Sequence, residues 1–241
     1  MAFIHGKNAS VIHGATSLSA YLNDGSVASD AETAETTAFG SSAKTYIVGL
    51  RDGTLSASGM FDGSANAVDA TLSATIGSDT GAPVLFAPAG LTTGERCWIL
   101  KAKSTSYEVS SPVGDVVSVS YDAQADGGTD GGVIVLQATQ TTSTTGAAYD
   151  AGASSANGGV AQLHVTANTM NANTAIKVQH SADNSTWADL TGATFTTVSS
   201  TTTTSERLVV ATGTTVNRYL RAVSTMSGTG SITFTVAFAR R

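Results

Sequence analysis

GLRDGTLSASGMFDG (residues 49–63) and SSPVGDVVSVSYDAQADGG (residues 110–128) decide how this chain is read. In the first, Leu55, Ala57, Gly59 and Phe61 fall on one face, and Thr54, Ser56 and Ser58 on the other. In the second, Val117, Val119 and Tyr121 alternate with Ser118 and Ser120. A period of two is that of a strand with one face buried in an antiparallel sheet.

Between them lies one helical pattern. Residues 62–76 place Val68, Leu72 and Ile76 at i, i+4 and i+8. Asp62 or Ser64 can cap its start and Gly77 can end it, so a helix is predicted on the flank of the sheet. Short strands are expected at 11–12, 18–22, 84–87, 96–102 and 107–109. Residues 29–44, with Glu32, Glu35, Phe39 and Lys44, read as a long polar loop. A loop of that length in a compact domain is functional or disordered. Phe39 favours an arm that docks on a neighbouring subunit, because a solvated aromatic gains by burial.

Residues 139–159, small and polar, read as a linker or extended loop. Beyond it the pattern is all-β. Leu163 and Val165 alternate with His164 and Thr166, and Ile176 and Val178 with Lys177 and Gln179. The cleanest strand is 231–238, where Ile232, Phe234, Val236 and Phe238 alternate with Thr233, Thr235 and Ala237. Some six strands with polar turns in the last 80 or so residues suggest a sandwich or barrel. Trp187, after a turn, reads as core. The predicted organisation is residues 1–136, a linker 137–159, and a β-domain 160–241.

Only 12% of residues are charged. A weakly charged β protein with many edges aggregates unless those edges are paired, and ordered assembly is one way to pair them. Residues 1–132 hold 14 acidic and 6 basic side chains, net −8, and the rest of the chain is net +2. An acidic first half argues against tight nucleic-acid binding, which needs Lys and Arg. It is compatible with DNA as passing cargo, which a negative wall repels and does not hold. The single cysteine, Cys97, lies in an apolar run and reads as a buried thiol. MAFIHGKN lacks the pattern of a signal peptide, and no run approaches a membrane-spanning length. Folding in a cytoplasm is expected.

Catalytic motifs are missing from the sequence: there is no P-loop, no G-x-S-x-G and no H-E-x-x-H. His5, His13, His164 and His180 lie at no metal-ligand spacing, and His164 and His180 read as a cross-strand polar pair. ADGGTDGG (residues 125–132) reads as a turn, since glycine–aspartate calcium loops work as repeats. Neither an enzymatic activity nor a cofactor is expected.

The opening MAFIHGKNASV, AETAETTAFG (residues 31–40), the two strand segments above and their order around one helix resemble the tail tube proteins of long-tailed phages. VQHSADNSTWADLTGATFT (residues 178–196) and NRYLRAVSTMSGTGSITFTVAFAR (residues 217–240) resemble the extra C-terminal β-domain of some siphophage major tail proteins, especially those of phages infecting actinobacteria. The resemblance implies a mainly β chain: a tail-tube sandwich or barrel with one flanking helix, plus a C-terminal all-β sandwich. It implies a structural virion protein, assembled in the bacterial cytoplasm and resident in the tail, whose hexameric rings stack helically into a conduit for genome DNA. Its partners would be copies of itself, the tape measure, tail tip and tail terminator proteins, with no membrane insertion.

By the same resemblance Glu32, Glu35, Phe39 and Lys44 would bridge to an adjacent ring. The polar sides of the inner strands, Ser56, Ser58, Ser118, Ser120 and Asp122, would be candidates for the lumen, although the period of two by itself allows either face inward. A chain with two fused tube domains could close as a trimer, but with one helix a hexamer is favoured. The competing reading, from a different class, is a module that binds carbohydrate or a host surface, or decorates a capsid.

Overall fold

The structure, a computed structural model, describes residues 3–241; the first two residues of MAFIHGKNASV lie outside them. It is mainly β, with two antiparallel sheets and a single short α-helix among the described residues. In chain order the first strands are β1 (Ser10–His13), β2 (Thr16–Ser17), β3 (Leu22–Glu35) and β4 (Tyr46–Met60). The helix α1 (Val68–Ser73) follows, then β5 (Ala82–Ala87), β6 (Arg96–Ser110), β7 (Ser118–Ala125) and β8 (Asp130–Gln140). The remainder are β9 (Thr144–Thr145), β10 (Tyr149–Asp150), β11 (Gly159–Asn168), β12 (Thr174–Ser181), β13 (Ala188–Thr194), β14 (Thr204–Val210), β15 (Tyr219–Met226) and β16 (Ile232–Arg240).

Contacts divide the chain into two compact units built from interleaved stretches. Among the described residues, one comprises 3–21, 82–99 and 130–241, the other 22–81 and 100–129. The strand β6 serves both: Arg96–Ile99 pair with β8, and Ala102–Ser110 pair with β7.

In the larger unit one sheet runs β14-β11-β16-β8-β6-β5-β1-β2, and a second runs β10-β15-β12-β13 with β9 beside β15. The alternation along β16 explains how they pack. Ile232, Phe234, Val236 and Phe238 join Leu163, Val165, Ile176, Val178, Leu190 and Leu220 in the core between the two sheets. Ala237 and Ala239 point the other way, into a second core with Ile12, Leu85, Cys97, Ile99, Ile134 and Val160. These residues come from β1, β5, β6, β8, β11 and β16, so the first sheet curls around its own interior. His164 on β11 reaches the Gly14 carbonyl in the β1–β2 turn at 2.6 Å, which ties together strands far apart in the sheet order.

Burial on both faces makes β11 unlike a half-exposed strand: every residue from Gly159 to Val165 is buried. His164 therefore makes no cross-strand pair with His180. His180 lies in the other sheet, on β12, where its Nδ1 accepts from the Asn217 N–H at 3.2 Å. The stretch read as a linker is tied down, because β9 and β10 pair with β15. Trp187 belongs to neither core. It is half-buried beneath the Arg221 guanidinium, 4.0 Å from its ring centroid, and Gln179 fixes that guanidinium by accepting two hydrogen bonds. An indole with a cation on its face is satisfied at a surface without entering a core.

The smaller unit is a four-stranded antiparallel sheet, β3-β4-β7-β6, and Tyr107 on β6 holds α1 to one face by donating to Asp69 at 2.8 Å. The helix is shorter than its periodicity suggests. Asn66 takes φ +62°, outside the helical region, so α1 starts only at Val68, and its N-cap, Ala67, makes no side-chain bond. Asp62 instead accepts from the Ser64 N–H in a local turn. Val68 and Leu72 are fully buried, whereas Ile76 lies beyond the helix in an isolated bridge to Ser104 and is 43% exposed. The segments 96–102 and 107–109 are one continuous strand, β6, and Leu18–Tyr21 form a turn before β3.

Candidate functional site: a polar sheet face, its free edges and a projecting hairpin

Pairing brings the sequence-selected polar residues onto one surface. Ser56 pairs with Asp122, Ser58 with Ser120, and Met60 with Ser118. On the β6 side Ser106, Glu108 and Ser110 lie opposite Asp122, Ser120 and Ser118. On the β3 side Asp24 and Ser26 lie opposite Ser58 and Ser56. Paired residues share a face, so Ser56, Ser58, Ser118, Ser120 and Asp122 form a single patch. The opposite face carries Leu55, Ala57, Val119, Tyr121 and Ala123, all buried. The pleat assigns the hydroxyls outward because the apolar set must meet α1.

Sequence reading missed most of the charge on this surface. Asp24, Asp30, Asp52, Glu108 and Asp122 all lie on it, against Lys103 and, further along the same side of β6, Lys101, both ion-paired with Asp126. The carboxylates are held in place. Asp122 accepts from Ser56 Oγ at 2.6 Å, and Asp52 from the Gln124 amide and the Gly53 N–H. No periodicity signal exposes this, since Asp24 and Asp30 sit in a segment whose pairing partner is only fixed by the hairpin.

The sheet has two free edges. Among the described residues β3 pairs with β4 alone, and β6 beyond Thr105 pairs with β7 alone. Each leaves a row of backbone N–H and C=O groups open to another strand. Because adjacent strands alternate in direction, β3 and β6 run antiparallel to each other, and copies set side by side can continue the same antiparallel ladder across every seam.

The arm at residues 29–44 is half strand. Residues 22–35 form β3 and pair with β4 in a long hairpin whose loop covers residues 36–45. Glu32 and Glu35 lie on β3; Lys44 in the loop bonds Glu35 at 3.0 Å, and Phe39 stands fully exposed at 111%. Tyr46, Val48 and Leu50 alternate along β4 and are all exposed, Leu50 at 76%. Thr and Val favour strand over loop, and a polar alternation without a buried face reads as loop until its partner is known.

The base of the hairpin is tight. A Cβ on Gly53 would lie 2.6 Å from Thr129 Cγ2 and 2.8 Å from the Ala28 carbonyl oxygen. Arg51 donates to the Thr129 carbonyl. The ADGGTDGG segment is a turn, with Gly127 and Gly128 both at positive φ. Among the described residues no group of three or more His, Cys, Asp or Glu is placed to hold a metal ion. Burial pushes the Cys97 thiol up to about 12, which keeps it a protonated core residue at neutral pH. Among the described residues no helix is long and apolar enough to cross a membrane.

No family model matches this sequence, and no curated protein does. Solved structures show limited likeness. A chain of a native gene transfer agent virion is 14% identical, with a TM-score of 0.44 over 53% of this chain and 97% of its own. A chain of the tail of an empty gene transfer agent particle, of C6 symmetry, is 15% identical, with a TM-score of 0.37 over 45% of this chain and 80% of its own. The SPP1 Dit (gp 19.1) hub protein of Gram-positive-infecting phages is 13% identical, with a TM-score of 0.36 over 96% of this chain and 98% of its own.

Proposed function

We propose that this protein is a structural virion component, a tail tube protein whose copies join edge to edge into rings that stack into a DNA conduit. The observation that carries this reading is the four-stranded sheet with an acidic, hydroxyl-lined face, an apolar face under α1, and two open antiparallel edges. Joining β3 of one copy to β6 of the next pairs both edges and turns the polar face toward a common axis.

Strand count selects the ring size. Strands spaced about 4.8 Å apart and tilted about 40° occupy roughly 6 Å of circumference each. Six copies give 24 strands and a backbone diameter of roughly 50 Å, while three give roughly 25 Å before side chains narrow it. Only the first leaves a bore wider than a DNA duplex. The carboxylates repel phosphate and the hydroxyls hold water, so DNA slides without sticking.

The projecting hairpin, with Phe39, Tyr46, Val48 and Leu50, then bridges to the adjacent ring, where its apolar side chains leave water. Tape measure, tail tip and tail terminator proteins are the expected partners at the ends of the tube, in a tail assembled in the host cytoplasm. Electron microscopy of the purified protein tests the proposal: tubes of uniform diameter are expected. A chain that stays monomeric at high concentration, even with a tail-tip initiator complex, overturns it.

A further inference from the structure

We propose that a cleft in the larger unit, where the ends of β6, β8 and β16 meet β10 and β15, binds a small organic carboxylate. The cleft has a volume of about 210 Å³, and its walls include Arg96, Gly132, Tyr149, Leu220, Phe238 and Arg240. That volume is below the usual several hundred Å³ of a drug-sized pocket and suits a single ring.

The charge in it is uncompensated. Arg207 and Arg241 share Asp130, and Arg218 has Asp150. Among the described residues Arg240 has no carboxylate partner. Its Nη atoms donate to the carbonyls of Val216, Asn217 and Arg218, and its Nε is buried with no acceptor. Burial disfavours its charged form. The Arg96 side chain, which also lines the cleft, makes neither a hydrogen bond nor an ion pair among the described residues. Two guanidiniums without counter-charges in a partly desolvated cleft attract an anion, and the planar fork of Arg96 matches a carboxylate.

The remaining walls choose the body of the ligand. The Tyr149 ring, half-buried, flanks the cleft, and Leu220 and Phe238, almost wholly buried, close its floor. Glycine leaves room beside the guanidinium: a Cβ on Gly131 would sit 3.3 Å from an Arg96 Nη. An inorganic phosphate would leave the apolar walls unused, so the site favours a ring that bears one carboxylate.

Calorimetric titration of the full chain at low salt with benzoate, benzamide and inorganic phosphate tests this. Saturable benzoate binding in the millimolar range is expected, with benzamide and phosphate each at least tenfold weaker. Arg96→Gln should weaken benzoate tenfold or more, and Arg96→Lys, which keeps the charge and loses the fork, should fall between. Arg96 is exposed, so both variants should keep the thermal midpoint of the parent, which is measured alongside. Absence of saturable benzoate binding overturns the proposal. So does equal binding of benzamide, equal binding of phosphate, or an unchanged affinity in a folded Arg96→Gln.

Discussion

Ser56 Oγ donates to Asp122 Oδ1 at 2.6 Å across the β4–β7 ladder, which fixes a carboxylate at the centre of the polar face. If that face lines a DNA conduit, its sign matters more than its detailed shape. Asp122→Lys should leave tube formation intact, because the residue is exposed and away from both edges. It should make assembled tubes retain added DNA, with a salt-dependent affinity. A filter-retention assay across a salt series reads this, and tubes of the variant that release DNA as the parent does would contradict the lumen assignment.

If the hairpin bridges adjacent rings, changes at its tip should separate folding from assembly. Phe39 and Leu50 touch solvent and contribute little to the isolated chain. The double change Phe39→Ser, Leu50→Ser should shift stability by no more than about 0.5 kcal/mol, the usual range for exposed sites. Tube length in micrographs should nevertheless collapse to single rings or monomers. Tubes of normal length would remove the hairpin from the inter-ring contact.

Asp130 is nearly inaccessible and accepts from both Arg207 and Arg241. Asp130→Ala would remove the carboxylate that the largely buried Arg207 guanidinium meets at 2.7 Å. Breaking a buried pair this way costs about 3–5 kcal/mol. Urea unfolding should show that loss as a lower midpoint at unchanged slope.

Two histidines give the fold a pH dependence. Burial pulls His13 and His164 down from 6.5 to about 4. For His164 the geometry agrees: Nδ1–H donates to the Gly14 carbonyl while Nε2 accepts from the Gln162 amide, an arrangement that suits the neutral ring. The unfolded chain binds the proton more tightly, so stability is full above pH 6.5 and declines as the pH falls toward 4. The slope is about 1.4 kcal/mol per pH unit for each histidine. Denaturant midpoints at pH 7, 6 and 5 measure it. A flat series would show that these rings are solvated.

Gly53→Ala pushes a methyl into Thr129 and the Ala28 carbonyl at the base of the hairpin. The expected cost is about 1–3 kcal/mol, as for overpacking elsewhere, and is read as a drop in the thermal midpoint. A neutral result would mean that β3 and β4 shift apart freely.

The alternation in residues 54–59 and 117–121 put the right side chains on the right faces, because burial of one face leaves a period of two in any half-exposed strand. It also put Ile232, Phe234, Val236 and Phe238 on one side of β16. It failed where both faces or neither are buried. His164 lies on a strand enclosed on both sides, and β3 carries a polar pattern because its distal half, paired only with β4 among the described residues, is exposed on both faces. Helical spacing at Val68, Leu72 and Ile76 overran the real helix, since spacing registers neither the backbone reversal at Asn66 that delays its start nor its end at Ser73, before Ile76.

By itself the sequence determined a β protein with one helix, a low-charge surface, an acidic first half and the identity of the polar strand faces. Each of these follows from local composition and period. Tertiary structure alone decided that Asp24, Asp30, Asp52, Glu108 and Asp122 share a surface, that β3 and β6 are left as open edges, and that Arg96 and Arg240 line one cleft. Those outcomes depend on which strands pair and in what register, and pairing joins residues tens to more than a hundred positions apart, as Val133 and Phe238 show, beyond the reach of any local pattern.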